Sequence, residues 1–146
     1  MVTNSLGFVP IMDGGNPRMI TGIAKEAISG GEYVFASGAN NVVSSGANSF
    51  VSSDLEIATG ASGAQCNGVA IGNAGSTGAI AFMSRGVVLS TANGTVTAGF
   101  PLQVDGNNSV ANLGSATIAA GTFGKAVGRA LTSAASGGHC LVNLNL

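Results

Sequence analysis

A chain of 146 residues has room for one domain with a real core, since a compact domain of this size buries about two-thirds of its unfolded surface. With 45% hydrophobic residues, 8% charged residues and a net charge of -1, it lacks the charge-rich, apolar-poor signature of disorder, and its sparsely charged surface predicts association with partners. The five cations, at positions 18, 25, 85, 125 and 129, fall short of the about 6 to 10 phosphate contacts of a DNA-binding face, which disfavours direct nucleic-acid binding.

Residues 1–20, "MVTNSLGFVPIMDGGNPRMI", hold two of the three prolines, a Gly-Gly pair and scattered large apolar side chains. Proline fixes φ and forces the preceding residue extended, so this segment reads as an extended N-terminal arm. Phe8, Val9, Pro10, Ile11, Met12 and Arg18 are its candidate contact residues. The first cation is Arg18, so a basic signal-peptide start is not expected, and no apolar run reaches the about 18 residues that span a bilayer; no membrane partner is expected.

Residues 21–146 read as a single β domain. Turn signals recur at Gly30-Gly31, Ser37-Gly38, Ser45-Gly46, Asn93-Gly94, Asp105-Gly106 and Gly137-Gly138. Between them lie short strand-forming runs: "EYVFA", "NSFVSS", "GAIAFMS", "GVVLST", "GTVTAG", "PLQVD" and "HCLVNLNL". This spacing predicts an all-β sandwich or barrel. Asn93-Gly94 is expected to make a two-residue hairpin, because a type I′ turn needs φ > 0 at both central residues. "DLEIATGA", residues 54–61, is expected to form a helical turn.

The chain also repeats itself. "NGVAIGNA" at 67–74 matches "FGKAVGRA" at 123–130, and "AGSTGAIAFM" at 74–83 matches "AASGGHCLVN" at 134–143. "ISGGEYV" at 28–34 pairs with "VTAGFPL" at 96–102. The order of these matches predicts one β unit used about twice. It also predicts that Ile71 and Val127, and Phe82 and Val142, occupy equivalent core positions. Gly31, Gly68, Gly72, Gly99, Gly124 and Gly128 are the expected structural turns and close-packing points.

Chemical motifs do not emerge. The single Gly-Lys, Gly124-Lys125, is followed by Ala126 rather than the hydroxyl residue of a phosphate loop. The glycines at 68, 72 and 75 have the wrong spacing for a dinucleotide fingerprint. His139 is the one histidine, and no nucleophile elbow accompanies it. The carboxylates Asp13, Glu26, Glu32, Asp54, Glu56 and Asp105 read as turn or surface groups rather than a glycosidase pair. Cys66 and Cys140 lie outside any metal or redox spacing and read as buried thiols. No catalysis, cofactor or metal is therefore expected.

Three runs, "GIAKEAISGGEYVF", the stretch from "CNGVAIGNAG" to "PLQVDGNN", and "GKAVGRALTSAASGGHCLVNLNL", resemble the capsid decoration, or cement, proteins of tailed double-stranded DNA phages and related viruses. The likeness is carried by Ala27, Gly30 or Gly31, and Val34; by Gly68–Ala70 and Gly86-Val87; by Val96–Gly99; and by Gly124, Ala126, Ala130, Leu131, Val142 and Leu144. It implies a small β-barrel or β-tulip domain, often trimeric, with an N-terminal arm lying across the major capsid protein. It further implies a structural protein of the outer capsid surface of the virion, made in the host cytoplasm, that stabilises the shell and performs no catalysis. A virion adhesion or carbohydrate-binding module is the alternative expectation.

Overall fold

The computed structural model describes residues 18–42, 53–60, 65–114 and 125–146. Within them lie nine strands: β1 (Arg18–Ala24), β2 (Tyr33–Val42), β3 (Ser53–Thr59), β4 (Gly68–Ala70), β5 (Ala79–Ala92), β6 (Pro101–Val104), β7 (Ser109–Asn112), β8 (Ala126–Ala130) and β9 (His139–Asn145). The all-β barrel architecture follows from the way they pair. The strand order β1-β3-β2-β4-β5-β7-β6-β8-β9 is supplemented by β1–β5 and β5–β9 pairings, so β5 closes two rings of five strands. β5 has 14 residues, long enough for its first half to complete one ring and its second half to begin the other. Alternating burial along its second half and along β9 puts Val88, Ser90, Ala92, Cys140, Val142 and Leu144 inside the second ring.

The two rings are copies. Each contains one parallel pair, β1–β3 in the first and β5–β7 in the second, with every other neighbour antiparallel. Turn hydrogen bonds recur at matching positions. Ile28 and Ala74 exchange backbone bonds as Val96 and Ala134 do, and Gly31 N donates to Ala70 O as Gly99 N does to Ala130 O. A side-chain cap recurs too: Gly30 N donates to Asn73 Oδ1, and Ala98 N to Ser133 Oγ. The match of 28–34 to 96–102 is thus a structural one, with Gly31 and Gly99 both in the left-handed region at φ 90° and 84°.

The first half of the other repeat is shifted by four residues from its expected alignment. Gly68, Ala70 and Ala74 correspond to Gly128, Ala130 and Ala134, in register with the later match. The G-x-A pattern recurs every fourth residue in both segments, so it aligns with itself after a slip. Phe82 and Val142 are both buried in equivalent positions, but Ile71 is twinned with Leu131 rather than Val127.

Other local expectations give way to tertiary pairing. Residues 53–59 are strand β3, not a helical turn, because they fill the place between β1 and β2. "GAIAFMS" and "GVVLST" fuse into β5, while "GTVTAG" contributes only the isolated Val96 bridge. Asn93-Gly94 joins β5 to β6, which are not neighbours, so it forms no two-residue hairpin; Gly94 alone has positive φ, 89°. Ser37-Gly38 lies inside β2, at the register shift between Ala36 and Asn40. Arg18, Met19 and Ile20, expected in the arm, are in β1 and pair with β5. Ser45-Gly46, most of "NSFVSS" and Gly124 fall outside the described residues.

Gly72 lies in the bend after β4, whereas Gly68 and Gly128 are strand residues that permit close approach. A Cβ on Gly68 would stand 2.5 Å from Phe82 Cδ2 and 2.6 Å from the Met83 carbonyl oxygen. At Gly128, where φ is +155°, a Cβ would fall onto the carbonyl oxygen of Asn143. Gly128→Ala is therefore expected to cost about 2–4 kcal/mol, and Gly72→Ala, with open space around it, to stay within about 0.5 kcal/mol. Urea denaturation of the two variants checks this contrast.

Candidate functional site

The seam between the rings is built from side chains that point out of the first ring. Ile28, Val34, Ile57, Ala70, Ile80 and Phe82 fill the first ring's interior cluster. Tyr33, Phe35, Cys66, Val69 and Met83 instead join the interior residues of the second ring in one continuous cluster, with Ile71 packed against it. Strand alternation explains the split: Val34 faces inward, so Tyr33 and Phe35 must face outward.

Tyr33, the one tyrosine of the chain, ties the rings together. Its buried hydroxyl and Ser90 Oγ are 2.5 Å apart, and its backbone N donates to Asn107 O at 2.6 Å. The Cys66 thiol donates to Gly68 O at 3.1 Å, and Cys140 is buried on β9 beside Ser90. Burial pushes the Cys66 thiol up to about 12. Burial likewise raises Cys140 and the Tyr33 phenol, the latter against its bond to Ser90. These groups are protonated at neutral pH and serve as packing atoms, as expected for the two cysteines.

The described carboxylates brace turns and strands. Glu26 accepts from Thr59 N at 2.9 Å and Thr59 Oγ1 at 2.6 Å, bonds that hold its carboxyl below the usual range. Glu32 accepts from Ser29 N, Glu56 takes Ser37 Oγ and lies 3.9 Å from Lys25 Nζ, and Asp105 takes Asn93 Nδ2. His139 is exposed at the start of β9, opposite Thr91. Among the described residues no group of three or more His, Cys, Asp or Glu side chains comes together to hold a metal ion, and no helix is long and apolar enough to cross a membrane.

Of the expected arm contacts, Phe8, Val9, Pro10, Ile11 and Met12 lie outside the described residues, and Arg18 is exposed at the head of β1, directly across from Arg85. The outer surface carries large apolar side chains: Met19, Leu55, Leu89, Phe100, Leu131 and Leu146 are exposed. Leu89 stands opposite Leu141 on the outer face of the β5–β9 pair. The "GVVLST" and "HCLVNLNL" alternations contain the signal, since a strand with one buried face shows its remaining leucines to solvent.

No protein-family model and no curated protein matches the chain. Among solved structures it is similar to the head fiber gp8.5 N base of bacteriophage phi29, with a TM-score of 0.56 and 13% sequence identity. The likeness covers 88% of this chain and 93% of that one. The two share a fold.

Three outcomes are expected at the seam. Tyr33→Phe and Ser90→Ala should each cost about 1–2 kcal/mol, and the double variant less than the sum, as read by a denaturation double-mutant cycle. Cys66 and Cys140 should resist iodoacetamide in the native protein at pH 8 and react after unfolding, by mass spectrometry. Because folding raises the proton affinity of the thiols above their ordinary value of 9.0, the unfolded chain releases protons first. Stability should therefore fall as pH climbs beyond about 9.

Proposed function

We propose that this protein is a non-enzymatic structural component of a phage head, a decoration or cement protein that sits on the outer capsid surface and stabilises contacts of the major capsid protein. The observation that carries the reading is the fold shared with the phi29 head fiber base over nearly the whole of both chains. The sequence resemblance to decoration proteins points the same way, as does a surface with few charges and several exposed large apolar side chains. The homo-oligomer implied by that resemblance is a trimer. Repeated copies would hold the shell through avidity, each adding modest affinity at one position.

A second reading follows from the neighbour being a head fiber base: the domain would then be the head-attached base of an adhesion fibre. Both readings place it on the head, and they differ in whether a receptor- or glycan-binding partner is involved. A glycan array separates them, with binding expected only for the adhesion reading.

The purified protein should bind undecorated heads at regular surface positions, seen by co-sedimentation and electron microscopy. Removal of residues 1–17 should abolish that attachment while leaving the circular dichroism spectrum and melting temperature of the β domain intact. A truncated protein that coats heads with unchanged affinity would remove the arm from the attachment mechanism.

A further inference from the structure

The internal duplication singles out one face of the second ring. In the first ring the row Tyr33–Val69–Met83 runs across β2, β4 and β5 and is buried in the seam. The same pairings in the second ring produce the row Pro101–Arg129–Asn143 across β6, β8 and β9. Arg129 and Asn143 are exposed, and so is Leu131, although its twin Ile71 packs against the seam cluster. Gln103 replaces Phe35 at the neighbouring position. The first ring thus uses this face to pack on the second, whereas among the described residues nothing packs on the second ring's copy.

The replacements specify the chemistry of what would cover it. Val69 and Met83 have become a guanidinium and an amide, while Leu131 and the half-buried Leu141 retain an apolar centre. Arg85 lies on the same side, paired with Asn145 two residues along β9 from Asn143. Strands β1, β5, β8 and β9 contain three arginines and no aspartate or glutamate. Such a face suits carboxylates arranged around an apolar patch, and arginine is enriched among the residues that carry protein–protein binding energy. A second copy is a poor occupant. The strand equivalent to the receiving half of β5 is β1, which begins with Arg18, so stacked copies would set arginine toward arginine.

We propose that the outer face of β8 and β9, centred on Arg129, Leu131 and Asn143, docks on an acidic protein surface, which on the head reading is the outer surface of the shell subunit. The inference rests on that reading for its partner. Arg129→Glu should weaken binding to undecorated heads by about tenfold or more, and should flatten its dependence on salt between 50 and 300 mM. Arg129→Lys should stay within about threefold of wild type, and Lys25→Glu, an equal charge reversal on the first ring, should have no effect. A photo-crosslinker at Leu131 should join the protein to an acidic peptide of the shell subunit. All variants are first matched to wild type in melting temperature.

If wild type binds heads and Arg129→Glu binds equally well, the face is wrong and the head reading stands. If wild type does not bind heads, the head reading falls and takes this partner with it. Crosslinks from Leu131 to a second copy, or wild-type binding to duplex DNA that Arg129→Glu abolishes, would each overturn the assignment to an acidic protein.

Discussion

The architecture depends on one strand being shared. β5 supplies the antiparallel partner of β1 and β4 in its first half and of β9 in its second, so neither ring closes without it. The change of allegiance takes place at Arg85, paired with both Arg18 and Asn145, and the next residue, Gly86, has φ 143° with Met83 Sδ 2.7 Å from where a Cβ would stand. A residue with a side chain would be strained there and would also collide with the packing of the seam. Closing a sheet on itself removes exposed edges, which a duplicated unit of short strands would otherwise leave on both sides.

Sharing a strand also fixes how the rings meet. The inward face of the first half of β5 carries Ile80 and Phe82 into the first ring, which sends Met83 outward to the second. Tyr33 and Phe35 follow by the same alternation on β2, and the Tyr33 hydroxyl finds its partner in Ser90 across the seam. The seam is continuous with the interior of the second ring. The two copies therefore form one body, and they have diverged where it matters: the face that is apolar in the first ring is polar in the second. A packing surface that has lost its neighbour must be made compatible with water or with a different partner.

This arrangement accounts for the composition. The described carboxylates Glu26, Glu32, Glu56 and Asp105 are spent on turns and strand ties, which leaves Arg18, Arg85 and Arg129 on strands without acids. Glycines are many because each copy reuses the same left-handed turn and the same close strand crossing. The proposed head-attached role fits a body of closed rings with an outer surface that presents leucines and arginines.

The sequence by itself determined the β class, the use of one unit twice, the strands "PLQVD" and "HCLVNLNL", and the burial of both cysteines. These are written in local patterns of turn glycines and alternating apolar residues, which need no knowledge of neighbours. Tertiary structure decided the rest. The G-x-A motif reads equally well in two registers, and strand pairing chose Gly128 over Gly124 as the twin of Gly68. Residues 53–59 have no strong strand signal and became β3 because a place between β1 and β2 required one. Whether an outward-facing residue is surface or seam was also beyond local pattern. Val69 and Arg129 occupy the same position in equivalent strands, and only the presence of a second ring against the first makes one of them core.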